Sequence, residues 1–534
     1  YFDRILVTNP LTDYVFEKLV NDKINVILTG NAGDGKTTIA AEIYQRVTGH
    51  HPQILHPITH AGDIIIVKDM SELRHHDQRT DIIKDALNNS SNRYLIVSNT
   101  GALLECFRDI KNKNDIKADV SELLNALEAD EPQNILNDKF MLINIANMGS
   151  IDTASQVFKR ILETDNWLAC QKCKFDENCP IFRNVRLLQD ELQTVTERVT
   201  LLYKRLYEYD VRLTMRQMTG HLAYAITAGK NCADIHAMSI IALQNTFNRF
   251  LFFNRFFGDD GSEVAPEALQ LLPVRKIQET EFGIHLDPYF ERKAWAKNNT
   301  ELPLTGEALR VGHTLLKSKN QNDPSIRRQV RRLVYFFCSL DDEAGKRYLS
   351  TFLRSPMLIK YIEYSQGRTL DRMTEEKYRH QILHVLQEYF TGVRLPEETW
   401  QVKDLYITLR PYENSTGTQM VLASFREEDF ELTLKNRFRV GKNDSKVLAL
   451  CLKDSDVEMK LELPFLDFIA RRYQGNVAEE LSAHYANRLG QFKVKLLAAS
   501  EQKDDYLTLL RIRYGGSFDV IKIHVSDDSL EVFS

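Results

Sequence analysis

No apolar run in these 534 residues is long enough to span a bilayer, so a membrane role is not expected. The opening residues, Tyr1 to Thr12, do not read as a signal peptide. Positive charge is not in excess: 69 Lys and Arg stand against 74 Asp and Glu, a formal net charge of -5. No global field therefore draws the chain onto nucleic acid or anionic lipid, and DNA contact would need a local basic patch or a basic partner. Seven cysteines at this length do not make a disulfide scaffold. Three of them cluster, which points to metal binding in a reducing, cytoplasmic setting. Internal repeats, low-complexity tracts and long disordered linkers are missing, and no nuclease motif is visible. What is present is ordinary for a globular protein, 43% hydrophobic and 27% charged residues. The length exceeds one core, so two to four domains are expected.

The sharpest motif comes early. Ile24 to Thr29 is a short apolar run, as a buried parallel strand requires. It leads into Gly30-Asn31-Ala32-Gly33-Asp34-Gly35-Lys36-Thr37-Thr38, a full G-x-x-x-x-G-K-[ST] loop, and a helical pattern follows. Glycines let backbone N–H groups curl around phosphates without a Cβ in the way. The helix start near Lys36 directs its positive dipole end at the anion. Lys36 is assigned to the β- and γ-phosphates and the Thr37 hydroxyl to Mg²⁺.

Acidic and polar strand ends should complete such a site. Asp63 to Glu72 offers Asp69 as the residue that holds magnesium and Glu72 as a candidate for polarising water; the competing reading has Asp69 merely capping the next helix. Arg93 to Asn99 reads as another strand, with Asn99 in the position of a sensor that orients water at the γ-phosphate, or as a turn residue. Lys139 to Ala146 reads as a further strand. Strands alternating with helices predict a doubly wound parallel sheet, a P-loop NTPase of AAA+-like type, over residues 1–150.

Residues 151–265 read as a helical lid. Cys170, Cys173 and Cys179 follow a C-x2-C-x5-C pattern, and the first pair can grip one tetrahedral ion. Cys232 is the first choice for a fourth ligand, with His221 or His236 behind it, and zinc is favoured over an iron–sulfur cluster. Thr214 is a candidate N-cap, and Arg216 just inside that helix is placed as a second sensor, against the plain reading of a solvated arginine. The aromatic run Phe250 to Phe257 reads as core or an inter-subunit face. Residues 266–395 form a helical middle region. There Arg327, Arg328, Arg331 and Arg332 make a basic stripe, read as a face pairing with local acids in preference to a phosphate or partner contact. Residues 396–534 read as an α+β interaction domain with an antiparallel sheet and no defensible catalytic constellation.

Several of these segments together resemble the ATPase subunit of phosphorothioation-dependent restriction systems, the DptF or DndF type. They are the loop Gly30 to Thr38, Lys68 to Glu72, Val97 to Gly101, Cys170 to Pro180 with Ile181 and Asn184, and Thr214 to Arg216. Asp287-Pro288, Arg331 to Phe336 and Leu463 to Phe465 complete the set. The resemblance implies an ATP hydrolase working with sister subunits in an anti-phage restriction complex, with DNA handled through the complex and cleavage left to a partner. It also implies an oligomer or hetero-complex. The alternative is a nucleotide-dependent signalling switch or scaffold with little hydrolysis.

Overall fold

The structure, a computed structural model, describes every residue except 1, 53, 74–75, 90, 113–119, 130, 286, 297–300, 318–321, 393–403, 410–416, 439–444, 477–480, 501–505, 513–517, 527–528 and 534. Two compact units emerge, Tyr1–Arg354 with Phe438–Asn443, and Ser355–Arg437 with Asp444–Ser534. The divisions expected at 150/151 and 265/266 fall inside the first unit, and the one at 395/396 lies outside the described residues.

The first unit is α/β. Its six strands are β1 (Asn25–Thr29), β2 (Ile58–Ala61), β3 (Ile64–Val67), β4 (Arg93–Val97), β5 (Gln133–Ile135) and β6 (Phe140–Asn144), in the spatial order β2-β3-β4-β1-β6-β5. The four inner strands run parallel. The two edge strands are antiparallel to their neighbours, so the sheet is mixed and not wholly parallel as expected. The reason is connection length. β2 returns into β3 across Gly62 and Asp63, with Gly62 at φ +61°, and β5 returns into β6 through Leu136, Asn137 and Asp138, all at positive φ. Connections this short make hairpins; a parallel pair needs a crossover of a dozen residues or more.

Both faces of the sheet are covered. Val26, Leu28, Ile64, Ile66, Leu95, Val97, Met141 and Ile143 share one cluster with the helices Pro10–Val20 and Lys36–Thr48. The alternate positions Ile27, Ile65, Val67, Tyr94, Ile96, Phe140 and Leu142 share the other with Ile83, Phe107 and Leu123. That alternation is the period of two of a strand read out on two buried faces. Every residue of β1 is buried, the apolar Val26, Ile27 and Leu28 and the polar Asn25 and Thr29 alike.

After β6 the chain becomes helical, with Ile151–Ile161, Pro180–Asp190, Leu192–Glu208 and Met215–Thr227 among its main helices. The aromatic run is core: Phe252, Phe253, Phe256 and Phe257 are almost fully buried. Phe252 and Phe256 meet Phe336, from the helix Pro324–Phe337, edge-on. Beside them lies a buried polar node. Arg332 donates to Asp259 at 2.7 Å, and Asn254 donates to Gln329 at 3.0 Å.

The second unit carries two antiparallel sheets. One is built from β9 (Phe430–Asn436), β10 (Lys446–Leu452) and β11 (Glu458–Lys460). The other holds β7 (Asp404–Leu409), β8 (Thr418–Arg426), β12 (Tyr506–Ile512), β13 (Phe518–Ser526) and β14 (Ser529–Phe533). Helices Arg372–Thr391, Leu463–Tyr473 and Ala483–Ala499 accompany them. The strand β14 escaped the sequence reading, because a five-residue segment at the end of the chain carries too little pattern to stand out. Among the described residues, no helix is long and apolar enough to cross a membrane.

Candidate nucleotide site and cysteine cluster

Strand β1 ends at Thr29, and the glycine loop turns sharply before the helix Lys36–Thr48. Gly30, Gly33 and Gly35 sit at φ of +144°, +95° and +89°, which other residues rarely adopt. The helix has Gly35 as its N-cap with no side-chain capping bond. The N–H groups of its first turn are therefore left for an anion. Lys36 is buried at the loop's centre, where its ammonium donates to the carbonyls of Gly30 at 2.8 Å and Asn31 at 2.7 Å. Burial pulls its pKa down, and the charges of Asp34 and Asp69 oppose that shift. Asp34 accepts the Asn31 N–H at 2.6 Å, and burial raises its pKa. Thr37 is exposed and Thr38 half-buried in the first helical turn, while Asn31 and Ala32 are exposed on the loop.

Three parallel strand ends converge beside this loop. β4 lies between β1 and β3, so Asn99, just past β4, is placed between the loop and Asp69, just past β3. Asp69 accepts from the Ser71 N–H at 2.9 Å and from the Ser71 hydroxyl at 2.5 Å, capping the short 3-10 turn Met70–Glu72. The capping reading of Asp69 thus describes its hydrogen bonds, while its charge still acts on Lys36. Asn99 donates to the same Ser71 hydroxyl at 3.5 Å, tying the two strand ends together. Thr29 and Thr100 meet through their hydroxyls at 3.3 Å. Glu72 points elsewhere: its carboxylate pairs with Lys68 at 3.0 Å on the surface.

The lid reaches the loop through one helix end. Thr214 caps Met215–Thr227 in a capping box with Gln217. The backbone N–H of Arg216 donates to the Gly33 carbonyl at 3.3 Å. A Cβ on Gly33 would sit 2.9 Å from the Arg216 Cβ and 3.3 Å from the Thr214 hydroxyl oxygen, so the contact is close enough to demand glycine. The Arg216 side chain is exposed and passes over Gly33.

Other residues around the loop carry no motif in the sequence. A small cavity against Asn31 and Asp34 is walled by Ile145, Gly149, Tyr207 and Arg212. The Arg212 guanidinium lies 3.8 Å over the Tyr207 ring, and the Tyr207 hydroxyl donates to the Asn147 carbonyl. Only the packing of the helix Leu192–Glu208 brings these two residues to the loop, so no local signal could have marked them.

The cysteine segment folds as a tight turn. The Cys173 N–H donates to the Cys170 carbonyl at 3.2 Å, and the Cys179 N–H to the Phe175 carbonyl at 2.7 Å. Cys179 then stands at the N-cap of the helix Pro180–Asp190, with no side-chain capping bond. Burial raises the pKa of Cys170 and of Cys179. For Cys170 the neighbouring thiols of Cys179, Cys232 and Cys173 add to that rise, so all four sulfurs share one neighbourhood. His236 stands among them: its Nε2 lies 3.3 Å from the Cys173 sulfur and 3.6 Å from the Cys232 sulfur, and its ring stacks on Phe175. His221 does not join them. It is fully buried, with its Nδ1 2.8 Å from the Tyr203 hydroxyl and its Nε2 2.8 Å from the Phe256 carbonyl. Among the described residues, no three His, Cys, Asp or Glu side chains stand in a metal-ligating arrangement.

No protein-family model, curated protein or solved structure matches the chain.

Proposed function

We propose that this protein is a magnesium-dependent ATP hydrolase whose nucleotide sits on the Gly30–Thr38 loop and is read from above by the lid. The observation that carries this reading is the convergence of four elements on one loop. These are the uncapped helix start at Lys36, the Asp69 and Asn99 strand ends, and the Arg216 helix start bonded to Gly33. The open first-turn N–H groups and glycines with positive φ fit a polyphosphate. When bound, the nucleotide and its magnesium supply the phosphoryl group and the charge that neutralises it.

The protein's part is positioning. Lys36 exchanges its two loop carbonyls for phosphate oxygens, a favourable trade for a desolvated ammonium. Thr37 and Asp69 would hold the magnesium. Asn99, steadied through Ser71, orients the attacking water. Arg216 stabilises negative charge on the terminal phosphate and couples it to the lid. Tyr207 and Arg212 border the small cavity beside the loop.

A structural Zn²⁺ is proposed on the four thiols, which lie near one another and near His236 without standing in a ligating arrangement. The donor set is soft, as a structural zinc site requires. The ligands proposed are Cys170, Cys173, Cys179 and Cys232.

The resemblance to restriction ATPases extends the proposal to a cytoplasmic component of an anti-phage DNA restriction complex, acting with sister subunits. One observation favours a second reading, a nucleotide switch with slow turnover. Glu72, the carboxylate expected to polarise water, is tied to Lys68 at the surface. Calorimetric titration with ATP tests the shared premise. Binding that requires magnesium and disappears in Lys36→Ala supports it, and equal affinity in both proteins removes it.

A further inference from the structure

Away from the glycine loop, the first unit has a second concave feature, an open cavity of about 450 Å³ at the start of the helix Pro324–Phe337. Among the described residues it is lined by Gly283, Ile284, Asn322, Pro324, Arg327, Arg328 and Arg331, so three arginines and no acidic residue border it.

These arginines are held by other groups of the protein. Arg331 pairs with Glu291 at 2.8 Å and donates to the carbonyls of Gly283 and Ile284, each at 2.9 Å. Arg328 donates to the Ser262 carbonyl at 3.1 Å. The nearby acids are largely committed. Asp259 gives its 2.7 Å contact to Arg332, leaving Arg328 at 3.7 Å. Asp323 caps the helix through the Ser325 N–H at 2.8 Å. Arg328, Arg331 and Arg332 therefore each stand in an ion pair with a local acid, as the reading of this stripe as a paired face expects. Pairing with acids is not the whole of it, because Arg327, Arg328 and Arg331 also converge on an open cavity.

Guanidinium groups held in fixed orientation recognise one class of ligand above others, a phosphate oxyanion, which they bind through paired N–H donors. We infer that this cavity is a phosphate-binding site, independent of the nucleotide loop, that takes a phosphate of a nucleic-acid strand or of a free nucleotide. In a chain of net negative charge it is the kind of local basic patch that nucleic-acid contact would require. The site does not depend on the proposed ATPase activity.

The test uses the full chain carrying Lys36→Ala, so that the glycine loop does not contribute. Binding of three probes is measured: a labelled 20-nucleotide single strand, ATP, and inorganic phosphate. Arg327→Gln, alone and with Arg328→Gln, is then added. The inference predicts binding of at least one probe, weakened at least tenfold by the substitutions, with partial recovery in Arg327→Lys and an unchanged melting temperature for Arg327→Gln. For the strand, the slope of log K against log salt should flatten by about 0.7 for each phosphate that the variant no longer neutralises. Binding of the strand alone identifies a polymer backbone, and binding of ATP and phosphate as well identifies a free ligand. If no probe binds, or if affinity is unchanged by Arg327→Gln, the inference is wrong. In otherwise unmodified protein, Arg327→Gln should leave ATP turnover without nucleic acid unchanged, which separates this site from the loop.

Discussion

The backbone N–H of Arg216 donates to the carbonyl of Gly33 at 3.3 Å, joining the lid to the glycine loop by one main-chain bond. Because this bond is made by backbone, it fixes where the helix Met215–Thr227 begins whatever the arginine side chain does. The side chain is then free to respond to what the loop holds. Arg216→Ala should leave ATP affinity within a few-fold of wild type and lower turnover by about 10²-fold, the usual scale for a charge-stabilising donor. Equal turnover in the two proteins would make Arg216 a solvated helix residue.

Gly33→Ala should be more damaging than Arg216→Ala. The added Cβ meets the Arg216 Cβ at 2.9 Å, and alanine is strained at φ +95°. A loss of about 1–3 kcal/mol of stability is expected, together with loss of turnover, measured by denaturant unfolding and steady-state kinetics. Wild-type stability in this variant would show that the loop and lid are not packed as described.

Much of this site was legible in the residue order. The glycine loop, the strand before it and the helix after it follow from a motif whose spacing is set by phosphate geometry. The Thr214 cap could be read because a capping box is local. Tyr207 and Arg212 could not, since they reach the loop through packing between elements far apart in the chain. The antiparallel edges were missed for a related reason: β2 and β5 are short, and their direction is decided by turns of two and four residues. For the cysteines, sequence spacing identified the cluster, but only the fold separates His236, beside two thiols, from the buried His221.

His221 supplies a pH dependence. Its Nε2–H donates to the Phe256 carbonyl and its Nδ1 lies 2.8 Å from the Tyr203 hydroxyl, partners that suit the neutral ring. Burial lowers its pKa from 6.5 to about 4. Its contribution to stability is complete above pH 6.5 and is lost as the pH falls toward 4, because the unfolded chain takes up the proton first. On the order of 3 kcal/mol is at stake. Unfolding free energies between pH 7.5 and 4 should fall more steeply for wild type than for His221→Gln; parallel curves would contradict the assignment.

The Arg332–Asp259 pair is the second stability test. Both groups are buried, and Asp259 also accepts the Gly261 N–H at 2.9 Å. Asp259→Ala leaves a buried guanidinium without its partner and should cost about 3–5 kcal/mol. Thermal or denaturant unfolding checks this, and a loss below about 1 kcal/mol would mean that water replaces the carboxylate.

Zinc is tested by metal analysis of protein purified without chelators. One zinc per chain is expected, absent or sharply reduced after Cys170→Ser with Cys173→Ser, with a lower melting temperature. Metal-free wild type would leave the four thiols as an unliganded cluster.

The most direct test of the central claim is steady-state ATP hydrolysis by wild type and Lys36→Ala, each with and without duplex DNA. The account predicts magnesium-dependent turnover in wild type, raised by DNA or by partner subunits, and none in a folded Lys36→Ala. Turnover that persists in Lys36→Ala, or no hydrolysis by wild type under any of these conditions, would contradict it.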